Sequence, residues 1–175
     1  MLCEKANFRI KRVISIVLLI SFLFALTGCR RKVPYIKPDK LIASLENCLD
    51  IEEITDYDGS GYHVSRSSGN SSCLVSGIVS AETGYIKIDY KIYDKSSEAT
   101  EYFRQMYESY TEAPGSEDFS GYITSGNRGY LVIDDGDFFL GLYCVKDMVL
   151  SIDAHSEEQV DEAKGFLEEL RLPID

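Results

Sequence analysis

Gly84-Tyr85-Ile86-Lys87-Ile88-Asp89-Tyr90-Lys91-Ile92-Tyr93-Asp94 is the stretch that decides the fold. Ile86, Ile88, Tyr90 and Ile92 alternate with Lys87, Asp89, Lys91 and Tyr93, which is the period of a strand with one buried and one wet face. A sheet wetted on one side is expected to be antiparallel. Upstream, strands are expected over about 61–66 and 73–81, separated by the polar loop 67–72. Downstream they are expected near 120–126, 129–134, 137–145 and 147–153, with Asp135-Gly136 and Lys146-Asp147 as hairpin turns.

Helical spacing fills the gaps between these strands. Leu41, Ile42, Leu45, Cys48 and Leu49 recur on one face of a helix that opens near Pro38-Asp39. A second helix opens at Ser96-Ser97 and carries Ala99, Tyr102, Phe103, Met106, Tyr107 and Tyr110. A third begins at Ser156, with Gln159 spaced for a capping box, and buries Val160, Ala163, Phe166, Leu167 and Leu170. The expected class is α+β: a mainly antiparallel sheet covered on its apolar face by amphipathic helices, in the order α, three strands, α, four strands, α. Residues 38–175 would form a single globular domain, because about 60 residues bury too little surface to stand alone.

An offset of about 60 residues repeats part of this layout. Ser60-Gly61-Tyr62, Ser65, Gly69, Ile92 and Ser96 recur as Ser120-Gly121-Tyr122, Ser125, Gly129, Ile152 and Ser156, seven identities in 37 positions. Composition alone gives roughly two or three. A tandem duplication is therefore expected.

The N-terminus reads as an address. Lys5, Arg9, Lys11 and Arg12 precede the apolar or small run Val13–Leu26, whose helix would rise roughly 21 Å against the roughly 30 Å of a hydrocarbon core. A basic region, a short apolar region and small residues ahead of Cys29 make a cleavable signal. Leu26-Thr27-Gly28-Cys29 resembles the lipobox of bacterial lipoproteins. The resemblance implies cleavage between Gly28 and Cys29, diacylation of Cys29, and a cell-membrane location facing the extracytoplasmic side. Two acyl chains give stable anchoring where one does not. Residues 1–28 would be removed, and 29–37, containing Arg30, Arg31, Lys32 and two prolines with Pro38, would be a lipidated tether.

The chain has 18 basic and 29 acidic residues and a net charge of −11. The leader takes four basic and one acidic residue, so the 147 remaining residues carry −14. Such a balance excludes a nucleic-acid partner, which needs clustered Lys and Arg. The membrane contact is expected through Cys29, helped by Arg30, Arg31 and Lys32, and a further partner would be an envelope protein or ligand.

No residue set reads as a catalytic centre. His155 shares a strand face with Asp153 and Ser151 only if that strand runs so far, and no GxSxG elbow supports a serine nucleophile. Asp56, Asp58 and Gly61 begin like a calcium loop, but the twelfth position is Ser67 rather than Glu. Asp134, Asp135 and Asp137 more simply supply a turn. No cofactor or metal is expected. Cys48, Cys73 and Cys144 allow one bridge, Cys48–Cys73 being the pair considered, and small-hydrophobe roles are favoured for most of them. Among the twelve tyrosines, Tyr85 and Tyr93 lie on the charged face of the decisive strand and form the candidate interaction surface. The expected function is a non-catalytic binding or accessory module of the cell envelope. The alternatives are an envelope hydrolase using unidentified carboxylates and a structural or regulatory subunit of an envelope assembly.

Overall fold

The computed structural model describes residues 32–55, 59–112, 119–124 and 127–175. These fall in the compact unit Lys32–Asp175. The leader, the acylation site Cys29 with Gly28, and the calcium-loop start Asp56 and Asp58 lie outside the described residues.

The elements are α1 (Pro38–Cys48), β1 (Gly61–Ser68), β2 (Ser71–Ser80), β3 (Tyr85–Tyr93), α2 (Ser96–Thr111), β4 (Phe119–Thr124), β5 (Arg128–Asp134), β6 (Phe138–Val145), β7 (Met148–His155) and α3 (Glu157–Glu169). All seven strands join one antiparallel sheet in the order β1-β2-β3-β7-β6-β5-β4. The mainly antiparallel α+β class therefore holds. β3 sits inside the sheet between β2 and β7, with Tyr90 opposite Leu150 and Ile88 opposite Ile152.

The alternation in β3 does what its period requires. Ile86, Ile88 and Tyr90 are fully buried on one face, together with Leu150, Ile152 and Tyr143 from the neighbouring strands. α1 supplies Leu41 and Leu45 to this core, and α3 supplies Val160, Ala163, Phe166 and Leu167. Two tyrosine hydroxyls tie irregular chain to the same core: Tyr90 donates to the Ile36 carbonyl (2.7 Å) and Tyr143 to the Pro173 carbonyl (2.6 Å).

Helices cover both faces rather than one. α2 crosses to the opposite side, where Ala99 and Phe103 pack on Tyr93, Leu131, Leu140, Leu142, Cys144 and Val149. The cause is legible in β5 and β6. Tyr130-Leu131-Val132-Ile133 and Phe138 to Val145 are continuous apolar runs rather than alternating ones, so they present apolar side chains on both faces and need cover on both. The cluster under α2 draws no residue from β1 or β2.

Three further expectations change. Val33 and Ile36 are each only 1% exposed, so the supposed tether 29–37 is bound into the core from residue 33 onward. Ser156 stands at φ +85° and makes no side-chain cap, so the capping box with Gln159 does not form. The 60-residue recurrence is not matched by the arrangement of elements. It sets β1 against β4, whereas β5 holds the position that answers to β1 when the sheet is counted outward from the β3·β7 pair. A twofold axis relating antiparallel neighbours stands perpendicular to the sheet and preserves its faces, yet α2 after β3 and α3 after β7 lie on opposite faces.

Candidate functional site

The part of the α2 face that α2 leaves uncovered is the candidate site. His63, Ser76, Asp89 and Ser151 stand in register across β1, β2, β3 and β7, giving a polar row four strands wide. The Ser76 hydroxyl donates to Asp89 Oδ1 (2.8 Å), and Lys87 Nζ lies 3.4 Å from Asp89 Oδ2. Asp89 holds the Lys87 ammonium above its ordinary pKa. Behind the row, beside Ile54, Gly61 and Ile78, is a small hollow of about 150 Å³.

A larger groove runs where β3 meets the first half of α2. It measures about 480 Å³, with Lys91, Tyr93 and Asn70 on the sheet side and Glu98, Glu101 and Tyr102 on the helix side. A hollow of about 180 Å³ shares Lys91, Tyr93 and Tyr102 and extends the groove to Ser151. Lys91 Nζ sits 4.5 Å from the Tyr93 ring centroid and donates to Asn70 Oδ1 (3.2 Å). An ammonium over a tyrosine face is held by the ring quadrupole. Glu101 accepts from Arg104 (2.6 Å) and Gln105 (2.8 Å), which holds its carboxyl below the usual range. Tyr102 is 40% exposed and its ring lies 5.9 Å from that of Tyr93. The groove therefore offers one accessible aromatic surface, lined by the Lys91 ammonium and by two carboxylates, Glu98 beside Lys95 Nζ (3.4 Å) and Glu101 held by Arg104.

The two tyrosines singled out in the sequence do not form one patch. Both side chains are on the expected face, but eight strand residues separate them by about 26 Å. Tyr93 is buried under α2, and burial pushes its phenol up to about 12. Tyr85 is 37% exposed and packs on His155 with ring centroids 4.6 Å apart. Tyr102, assigned to a helix core by spacing, is the accessible aromatic residue of the groove. The signal available for the groove was Lys91 two positions before Tyr93, which places both on one strand face.

β7 runs to His155, so Ser151, Asp153 and His155 do share a face. Four residues of strand nevertheless put Ser151 about 13 Å from His155, beyond proton-transfer distance. The His155 ring lies between Tyr85 and Phe138, at 4.6 and 5.0 Å. Burial raises the Asp153 carboxyl, opposed in part by Lys87 and His155. Glu162 on α3 is also raised by burial. Asp153, Glu162 and the lowered Glu101 do not meet in any of these hollows.

All three described cysteines are free thiols. Cys144 is buried under α2, and its pKa is pushed up to about 12 by desolvation. Cys48 is exposed rather than set into the apolar face of α1, and Cys73 is half-buried. The acidic turn 134–137 is committed to its own backbone: Asp134 accepts from the Gly136 N–H (3.2 Å), Asp135 from the Phe138 N–H (2.7 Å), and Lys164 pairs with Asp134 at 2.5 Å. Gly136 stands at φ +93°, the conformation that glycine supplies without strain. Among the described residues no helix is long and apolar enough to cross a membrane, and no group of three His, Cys, Asp or Glu side chains could hold a metal ion.

No protein-family model matches the chain, and no curated protein is similar to it. Among solved structures it is similar to the extracellular domain of PknH from Mycobacterium tuberculosis, with 7% identity, coverage of 78% of this chain and 90% of that one, and a TM-score of 0.37. A likeness so loose carries no weight for function.

Proposed function

We propose that this chain is a membrane-anchored, extracytoplasmic binding module, lipidated at Cys29, that recognises an envelope partner through the uncovered part of its α2 face. The observation that carries the reading is the groove between β3 and α2, where the exposed Tyr102 shares the lining with Lys91 and with Glu98 and Glu101. An accessible aromatic ring supplies apolar contact area at low entropy cost, and flanking charges of both signs fix a partner's orientation. The groove is open and shallow, which suits a surface contact better than enclosure of a reacting group.

Two measurements on the full chain test this reading. Cys29→Ser should abolish fatty-acid labelling and release the protein from membranes; retention without label would refute the anchor. For the face, proteins cross-linked in intact cells to the unaltered chain should be lost with Tyr102→Ala and with Lys91→Glu, and retained with Lys40→Glu on α1. Identical recovery from all of them would refute the groove as the contact.

A further inference from the structure

The charged residues of this domain are sorted along the strands. At the end where β3 stops and β7 starts, the turns are stitched together by backbone bonds: Tyr93 N–H to the Asp147 carbonyl (2.8 Å), Asp94 N–H to Asn70 (2.9 Å) and Lys146 N–H to Asn127 (2.7 Å). The N-terminal segment joins the same end, since the Ile36 N–H contacts the Met148 sulfur at 3.3 Å and Lys146 Nζ lies 5.8 Å from the Tyr35 ring. This end displays Lys32, Lys37, Arg66, Lys95, Arg128 and Lys146 against Asp39, Asp94, Glu98 and Asp147, with Lys95 Nζ 3.4 Å from Glu98 Oε1. The opposite end displays Glu82, Asp134, Asp135, Asp137, Glu157 and Glu158. A domain strongly negative as a whole thus has a small basic excess at the end its N-terminus leaves from.

We infer that this basic end rests on an anionic phospholipid bilayer, holding the strands upright on the membrane and the uncovered α2 face to the side. The inference rests on the proposed acylation of Cys29. Three features of the chain point to this occupant. Four residue steps separate Cys29 from the buried Val33, a reach of at most about 14 Å, so an acylated Cys29 leaves this end little room to stand away from the lipid. Basic side chains near an anionic leaflet are attracted to it, and the attraction fades within a Debye length. Tyr35, 38% exposed among these lysines, is the amphipathic ring type that settles at headgroup level. The acidic excess at the far end stands several Debye lengths from the surface and does not cancel the attraction.

The test uses the full acylated chain reconstituted in vesicles of phosphatidylcholine alone or with about 30% phosphatidylglycerol. A membrane-impermeant amine reagent and mass spectrometry then read each lysine. Lys32, Lys37, Lys95 and Lys146 should label about threefold less, or lower still, in the anionic vesicles. Lys87, far from this end, should label equally in both. Lys95→Glu with Lys146→Glu should restore labelling at Lys32 and Lys37, and Lys37→Glu, at an exposed position, is a second variant that should restore it at Lys32. Absence of acyl mass on Cys29 would overturn the anchor, and this inference with it. An acylated chain whose lysines label alike in both vesicles would overturn the orientation alone. So would protection that appears only when a soluble anionic polymer is added to the phosphatidylcholine vesicles, which would assign the basic end to that polymer.

Discussion

Replacing Ile36 by Ala separates a loose tether from a folded strap. Ile36 is 1% exposed, its backbone N–H contacts Met148, and its carbonyl accepts from Tyr90. Truncating a buried Ile to Ala costs about 2–5 kcal/mol, the transfer term plus the cavity left behind. With about 3 kcal/mol, and about 2–4 °C per kcal/mol for a domain near 150 residues, the Tm should fall by about 6–12 °C. Tyr90→Phe removes only the hydroxyl and leaves the Ile36 carbonyl without its donor, for about 1–2 kcal/mol and a correspondingly smaller shift. Lys37→Ala, one residue on and exposed, should stay within about 0.5 kcal/mol. The assay is thermal unfolding of the full chain in mild detergent, followed by calorimetry. If Ile36→Ala moves the Tm no more than Lys37→Ala does, residues 33–37 are not part of the fold, and acylation of Cys29 would no longer bring the basic end onto the bilayer.

Two other outcomes come from the pKa directions. Asp153 has a raised pKa, so the folded state binds more protons than the unfolded state as pH rises from about 4, and its ionisation makes stability fall through that range. Asp153→Asn should therefore raise the Tm at pH 7 and lose its advantage near pH 3; equal Tm values at pH 7 would contradict the burial assigned to that carboxyl. For the thiols, a maleimide at pH 7 should label exposed Cys48 in the native protein and reach Cys144 only after denaturation, as its raised pKa and burial demand. Native labelling of Cys144 would show that α2 does not seal the cluster beneath it.

The strand at 85–93 was readable because its two faces meet different surroundings, core against a largely open side, and alternation reports that difference. The sides taken by the helices were not read, although β5 and β6 carried the sign: runs without alternation are strands covered twice. Val33 and Ile36 escaped because two apolar residues among basic residues and prolines carry no period; Ile36 takes its place from Tyr90 and Met148, more than 50 residues away, and Val33 from the same buried core. The groove escaped for a related reason. Lys91 and Tyr93 share a strand face by spacing, but Tyr102 reaches them only because α2 folds back over the end of β3. The seven identities at an offset of 60 are a property of the string that the helices, lying on opposite faces, do not repeat in space.

The hydroxyl of Tyr90 on the Ile36 carbonyl has a mechanical meaning. Were the domain held by an acylated Cys29, as proposed, any drag on it would be carried by the chain just ahead of α1. Here that chain is fastened to β3 and beside the start of β7, two interior strands, each paired on both sides. That load would enter the middle of the sheet and spread through the β2·β3, β3·β7 and β6·β7 ladders of hydrogen bonds together. Had the same chain been fastened to β4 at the edge, tension would have opened one ladder a bond at a time.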